Sequence, residues 1–142
     1  MTRRIALLMA AALLLTGTTC VPDVVVGEQT AGADQTIEDA FEDRRSDLQV
    51  GGSGTVIRML ADDHDGNRHQ RFILELESGH TLLIAHNIDV APRIPDVREG
   101  DTVEFFGVYE WNDQGGVIHW THHDPEGRHE DGWLRHEGAV YR

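Results

Sequence analysis

Hydrophobic and polar positions change their spacing along this chain near residue 50. From Ile37 onward, apolar side chains recur at intervals of three and four, which predicts a short amphipathic helix. Thr36 is placed to cap its first turn, with Asp39 at the third helical position. The glycine-rich residues 51–54 are expected to end this helix. From Thr55 the spacing becomes two, which predicts β-strands.

Five strand-like segments follow, each bounded by turn-forming residues. They are Thr55–Leu60, Gln70–Leu76, His80–Ala85, Thr102–Trp111 and Gly116–His122. Ala91–Val97 contains two prolines and predicts a helical turn or an irregular crossover. The order indicates an all-β fold, a five-stranded OB-fold-like barrel with a short N-terminal helix and a short crossover between strands three and four. A small open sandwich is the alternative.

The N-terminus predicts export. Residues 1–19 resemble a secretory signal peptide, because two arginines precede a short apolar run and then small polar residues. That run is shorter than the roughly 20 residues that a membrane-spanning helix needs. We expect residues 20–34 to be a flexible tether and residues 35–142 to form a single barrel domain. The protein is thus expected in the periplasm or outside the cell.

Cys20 follows directly on the predicted signal peptide, where a bacterial lipoprotein carries its lipid. The preceding Gly17-Thr18-Thr19 departs from the usual triplet, so ordinary cleavage is the alternative. A membrane is expected as a partner only through a lipid on this residue. A single cysteine cannot form an internal disulfide, so the fold must depend on its core. The oligomeric state stays open.

Charge narrows the class of partner. The formal net charge is −13, with 25 acidic side chains against 12 basic ones. Such a field repels nucleic acid and anionic lipid and favours cations, including divalent metals. An acidic surface is also typical of proteins from salty surroundings or from a biased genome. Charge therefore disfavours nucleic acid as a partner without identifying the ligand.

The segment from Gly115 to His136 holds five of the nine histidines. Histidine titrates near neutral pH and is the commonest metal ligand, so this crowding predicts a metal, proton-transfer or anion site. In an extended strand Ile118 and Trp120 would point into the barrel, and His119 and His123 outward. Four residues along a strand span about 13 Å, which one zinc ion cannot bridge.

A metal site in this segment therefore needs other ligands. His122 and Asp124, two residues apart, are the best pair on one face. His69, His86 or His123 would complete the shell around zinc, manganese or nickel. Elsewhere, Asp63, Asp65 and Asn67 have the spacing of a calcium loop, but a solvated turn explains them better, because Gly66 is misplaced for that motif.

Several of these segments resemble a known family. The blocks HQRF, IAHNID, YEWN and HWTHHDP are similar to those of bacterial secreted proteins grouped as domain of unknown function 3465. The resemblance covers roughly Ala40 to the C-terminus. It implies an exported small barrel and assigns no activity. Its polar blocks correspond here to His69, Gln70, Arg71, His86, Asn87, Asp89, Glu110, Asn112, His119, His122, His123 and Asp124.

Three functional hypotheses follow. The first is an envelope module that binds a divalent metal or a small molecule, with the candidate ligand-binding residues Gln70, Asn87, Asp89, Glu110, Asn112 and His119. The second is a metal-assisted hydrolase of phosphodiesters, in which Arg71 clamps the phosphoryl oxygens and His123 transfers a proton. The third is a protein-interaction module that uses Trp111 and Trp120. Trp133 and Tyr141 are expected to anchor the C-terminal tail.

Overall fold

A computed structural model describes residues 26–142, with side chains described from residue 33 onward. The predicted signal peptide and Cys20 lie outside the described residues. One helix precedes seven strands. The elements are α1 (Val26–Glu42), β1 (Leu48–Met59), β2 (His69–Leu76), β3 (Thr81–Asn87), β4 (Thr102–Glu110), β5 (Val117–His119), β6 (Trp133–His136) and β7 (Ala139–Tyr141).

The helix starts earlier than its predicted cap. It begins at Val26, inside the stretch predicted to be a tether, so Thr36 lies within the helix and not at its start. Ile37 and Ala40 are fully buried and join the barrel core, as their spacing predicted. Trp111 donates its indole Nε1 to the Phe41 carbonyl at 3.1 Å, which ties the end of the helix to the barrel.

The first strand also begins earlier than expected. The glycines at 51–54 were predicted to end the helix, and this prediction is wrong because they lie within β1. The reason is a packing contact with another strand, because a Cβ on Gly52 would lie 2.8 Å from the ring of Phe105. Glycine lets the strand pass over that core ring, so residue 52 is a strand position without room for a side chain.

Strand pairing closes a barrel. The first half of β1 pairs with β4 and its second half with β2, both antiparallel. β2 pairs with β3 antiparallel, β3 with β5 parallel, and β5 with β4 antiparallel. The ring β1-β2-β3-β5-β4 confirms the predicted OB-like barrel. The core contains the fully buried Phe72, Leu74, Ile84, Val103, Phe105, Tyr109, Ile118 and Leu134.

The crossover between β3 and β4 is irregular, as predicted. It is attached to the barrel by Gln70, whose buried carboxamide donates to the Ile94 carbonyl and accepts from the Ile94 amide, both at 2.9 Å. Ile94 is buried and so fixes this segment on the core.

The C-terminal tail forms two strands that the sequence did not indicate. β6 pairs with β4, and β7 pairs with β6. Trp133 stacks on Phe106 with ring centroids 6.2 Å apart, and Tyr141 packs against the core. Both rings therefore anchor the tail as predicted. Among the described residues, no helix is long and apolar enough to cross a membrane.

Candidate functional site

The fifth strand ends sooner than its sequence suggests, and Trp120 is the reason. Its φ is +53°, in the left-handed region that a bulky side chain rarely adopts. Ile118 is buried as predicted, but the alternation stops at His119 and Trp120 remains partly exposed. The prediction that Trp120 points into the barrel is therefore wrong. Such a conformation costs about 1–3 kcal/mol and persists only where the surroundings enforce it.

Two glycines enclose the backbone at this point. A Cβ on Gly107 of β4 would lie 2.5 Å from the His119 carbonyl oxygen, and one on Gly132 would lie 1.9 Å from that of Trp120. Gly132 also donates its amide to the His122 carbonyl at 2.9 Å. The chain around Trp120 is thus held between β4 and the segment before β6, and the unusual backbone is part of the fold.

A small cleft of about 150 Å³ opens beside Trp120 on the outer face of β2, β3 and β5. The loop between β1 and β2 closes one side. The lining residues are Asn67, His69, Ala85, Asn87, His119, Trp120 and His122. The fold therefore brings together three of the predicted histidines, although His69 lies far from the other two in sequence.

Imidazole rings surround the Trp120 indole. The ring centroids of His119, His122 and His129 lie 5.7, 5.5 and 4.1 Å from that of Trp120. The Arg128 guanidinium lies over the indole at 5.5 Å. His129 belonged to the predicted histidine cluster but was not assigned a role. The structure makes it a central contact of the indole.

Two of these imidazoles have a defined proton position. His122 Nδ1 donates to the His123 carbonyl at 2.8 Å, and His129 Nδ1 donates to the Glu130 carbonyl at 2.9 Å. A carbonyl only accepts, so Nδ1 carries the proton in each ring. In the neutral form of either ring, Nε2 then has a free lone pair. That arrangement is typical of histidines that bind a metal or accept a hydrogen bond through Nε2.

Among the described residues, two buried imidazole nitrogens have no hydrogen-bond partner. They are Nε2 of His119 and Nε2 of His129. His119 Nε2 lies 3.6 Å from a Glu110 carboxylate oxygen, beyond hydrogen-bonding distance. Burial lowers the pKa of His119 although Glu110 opposes the shift, so this ring is neutral at pH 7. A buried polar atom left unpaired costs about 1–3 kcal/mol, which marks both nitrogens as places for a ligand or water.

His86 is buried behind the cleft instead of lining it. Its Nε2 donates to the Pro92 carbonyl at 3.0 Å, and its Nδ1 accepts from the Thr121 hydroxyl at 2.8 Å. Burial lowers the pKa of His86 to about 4, although the bond to Pro92 opposes this. Both nitrogens are occupied, so the predicted metal ligand serves to join β3, the crossover and the residues after β5.

Asp124, predicted to be a metal ligand, instead binds backbone amides of its own loop. Its buried carboxylate accepts amide protons from Glu126 at 3.0 Å, Arg128 at 2.6 Å and His129 at 3.2 Å. Burial alone would raise its pKa, but these three donors hold it below the usual value. Both oxygens are thus engaged by the loop, and Asp124 is the residue that folds the chain back so that His129 reaches Trp120.

The two residues predicted to be catalytic lie outside the lining of the cleft. Arg71 donates Nε and Nη2 to the Ala61 carbonyl at 3.1 and 3.0 Å, so its guanidinium fixes the loop after β1. His123 donates Nδ1 to Asp131 at 2.6 Å and is largely exposed. Asp131 also accepts the Asp124 amide at 2.8 Å and so belongs to the same loop.

Three other predicted ligand-binding residues support loops. Gln70 holds the crossover, as described. Asn112 accepts the amides of Gln114 at 2.9 Å and Gly116 at 3.0 Å, which shapes the turn between β4 and β5. Asp89 accepts from the Arg68 guanidinium and amide, each at 2.7 Å. Of the predicted set, Asn87 and His119 line the cleft, and Glu110 lies beside His119.

The described residues contain no preformed metal site of three or more protein ligands. Among the described residues, no three His, Cys, Asp or Glu side chains form a cluster that could hold a metal ion. The combination predicted from the sequence, with Asp124 and His86 beside His122, is therefore not assembled in this structure. The cleft beside Trp120, lined by His69, His119 and His122, is called the histidine cleft below.

The sequence of the chain matches one known protein family. A family model described as protein of unknown function (DUF3465) matches residues 21–142. The chain belongs to this family. The resemblance seen in the HQRF, IAHNID, YEWN and HWTHHDP blocks is thus confirmed, and the match extends further towards the N-terminus than those blocks do. A comparison with curated proteins finds no match.

Proposed function

We propose that the protein is an exported module of the cell envelope that binds a metal ion or a small molecule in the histidine cleft. One observation carries the proposal. The cleft is lined by His119, whose buried Nε2 has no partner, and by Trp120, whose backbone is strained. Unpaired buried polar atoms and strained backbone both concentrate at binding sites.

The size of the cleft limits the ligand. A water molecule takes about 30 Å³ in the liquid, so 150 Å³ has room for about five waters. Sites for drug-sized molecules are larger, at roughly 300–1,000 Å³. The ligand is therefore a hydrated ion or a molecule of few heavy atoms.

Charge favours a cation or a neutral ligand. His119 is neutral at pH 7, and the chain carries a formal net charge of −13. An anion would meet both an acidic field and an uncharged imidazole. The same field disfavours nucleic acid as a partner.

Export rests on the signal-like pattern of residues 1–19, and cell fractionation with a mass measurement of the mature N-terminus tests it.

The two other hypotheses have less support from the geometry. A hydrolase would need Arg71 and His123 at one cleft, whereas Arg71 is bonded to Ala61 and His123 to Asp131. An interaction surface around Trp111 is also disfavoured, because this indole is bonded to the Phe41 carbonyl and stacks on the Phe41 ring at 6.5 Å. Trp111 thus serves to attach the helix.

The indole N–H signals in a nitrogen–proton NMR spectrum test the proposal. The chain has three tryptophans, so Trp111 and Trp133 serve as internal controls for Trp120. The binding probes are zinc chloride and glucose, and sodium acetate and inorganic phosphate are anions that should not bind; each is added separately to the protein at pH 7. Zinc or glucose should shift Trp120 alone, and less so in a His119→Ala variant. A matched His64→Ala variant alters an exposed histidine and should respond as the wild type does.

If neither zinc nor glucose shifts Trp120 up to millimolar concentration, the binding proposal is wrong, and a shift caused by acetate or phosphate alone would contradict the charge argument. A shift that is equal at all three indoles would show a general solvent or salt effect and would equally contradict it.

A further inference from the structure

We infer that the histidine cleft binds one ring of a neutral sugar, held by uncharged side chains that donate to and accept from its hydroxyl groups. This inference rests on the proposed function and names the class of its ligand, since that function leaves both an ion and a small molecule open. The ring is either a free monosaccharide or the terminal residue of a longer glycan, which share this chemistry.

The lining of the cleft is polar and contains no carboxylate or guanidinium group. Within the part of the chain that the structure describes, it consists of two carboxamides, three imidazoles, one indole and one alanine side chain. Burial lowers the pKa of His119, so this imidazole is neutral at pH 7. A charged ligand would leave water and find no opposite charge in the lining, which costs far more free energy than the burial of a hydroxyl group. The lining therefore favours an uncharged, polar ligand.

Two charged residues beside the cleft neutralise each other. Arg68 donates its Nε and its backbone amide to the Asp89 carboxylate, each at 2.7 Å, and its carbonyl accepts the Ile88 amide at 2.9 Å. These bonds tie the loop that carries Asn67 to the end of β3 that carries Asn87. The ion pair thus adds no net charge and holds the chain segments of both lining carboxamides in place.

Hydrogen-bonding atoms of both kinds remain free on the lining residues. Asn87 Oδ1 accepts the Asp89 amide at 3.0 Å, which leaves Nδ2 of this carboxamide as a donor. His122 Nδ1 donates to the His123 carbonyl at 2.8 Å, which leaves Nε2 of the neutral ring as an acceptor. A hydroxyl group donates and accepts through one oxygen, whereas an ether oxygen only accepts. A ligand with several neighbouring hydroxyl groups therefore matches the lining best.

Apolar surface in the lining matches the carbon atoms of a sugar ring. Trp120 and Ala85 provide this surface, and small-molecule sites generally combine apolar walls with a few polar groups. The close packing of Gly107 and Gly132 against the chain around Trp120 fixes the backbone that carries the indole. Little conformational entropy is then lost on binding. The volume of 150 Å³, or about five waters, accommodates the inner part of one ring while the rest projects into solvent.

Titrations followed at the Trp120 indole N–H of the full chain test the class of ligand. Glucose should give a saturable shift up to millimolar concentration. Tetrahydropyran has the same ring without hydroxyl groups and should give no shift. Glucuronate keeps most of the hydroxyl groups and adds a carboxylate, so it should bind at least about tenfold more weakly than glucose. Maltose separates the two sources, because binding similar to that of glucose indicates the terminal residue of a glycan and no binding indicates a free monosaccharide.

A matched pair of variants tests the donor. Asn87→Asp keeps the oxygen that accepts the Asp89 amide and replaces the free donor by a charged acceptor, so it should weaken glucose binding at least about tenfold. Asn112→Asp makes the same change in the turn between β4 and β5, outside the cleft lining, and should leave the affinity within about twofold. Unchanged Trp111 and Trp133 signals would show that both variants fold.

Four results would overturn the inference. They are no shift of Trp120 by glucose, an equal shift by tetrahydropyran, tighter binding of glucuronate than of glucose, and equal affinities of the two variants for glucose. If zinc shifts Trp120 while glucose does not, the proposed binding function stands and only the sugar is wrong. If neither probe shifts Trp120, the binding function fails as well.

Discussion

His86 makes the folded state sensitive to acid in a way that can be calculated. Burial lowers the pKa of its imidazole to about 4, from 6.5 in an exposed ring. Between these values the unfolded chain binds a proton that the folded protein does not. Stability is therefore complete above pH 6.5 and falls as the pH drops towards 4. At about 1.4 kcal/mol per pKa unit, the loss is about 3 kcal/mol of the free energy of unfolding.

A His86→Gln variant isolates this contribution. Its carboxamide nitrogen can donate to the Pro92 carbonyl and its oxygen can accept from the Thr121 hydroxyl, as the imidazole does now. Glutamine does not titrate. Urea unfolding followed by circular dichroism at pH 7 and pH 4 should show that the wild type loses about 3 kcal/mol more than the variant. Other ionisable groups contribute to both proteins and cancel.

Parallel pH profiles for the two proteins would refute this reasoning. So would a directly measured pKa of His86 near 6.5, since the ring would then not be desolvated in the folded state. If the variant were less stable at every pH by a constant amount, with no difference in slope, the two hydrogen bonds would matter and the burial argument would fail.

Two further predictions concern the backbone around Trp120. Gly132→Ala would bring a Cβ to 1.9 Å from the Trp120 carbonyl, so it should lower the free energy of unfolding by more than about 2 kcal/mol in urea titrations. Gly127→Ala is the matched control, because its Cβ meets open space and only its positive φ carries a cost of about 1 kcal/mol. If both variants lost the same free energy of unfolding, the close-packing argument would be contradicted. Asp124→Asn removes the charge that the loop amides bind and should cost about 1–3 kcal/mol and move the His129 ring signals away from those of an indole-shielded imidazole. Unchanged His129 signals would show that another contact holds the loop.

The barrel could be predicted because apolar and polar residues alternate along its strands. β2 and β3 alternate buried and half-buried positions almost without exception, and turn residues separate them. The sequence predicts a start for β1 that is too late in the chain, because the glycines at its beginning are typical of residues that end a helix. Only the position of the Phe105 ring, which pairing with β4 brings under Gly52, shows why a strand needs glycine there. β6 and β7 are too short to carry a periodic signal of their own.

The candidate site was predictable in part. The crowded histidines indicate the segment that lines one side of the cleft, and the strand ends bring His69 into the same cleft as His119. His86 could not be distinguished from His119 by sequence, because its burial depends on the crossover that covers it. His129 reaches the Trp120 indole through the turn that Asp124 nucleates, and the conformation of Trp120 depends on two distant glycines. Neither relation can be read from local spacing.

The side chains around Trp120 come from two parts of the fold that are held in different ways. Strands of the barrel supply His69 and His119, whose positions are fixed by the same pairing that closes the fold. The contact of His129 with the indole comes from a short surface turn folded around one carboxylate, that of Asp124. Substitutions within residues 125–130 are therefore expected to change the surroundings of the Trp120 indole while the barrel stays intact.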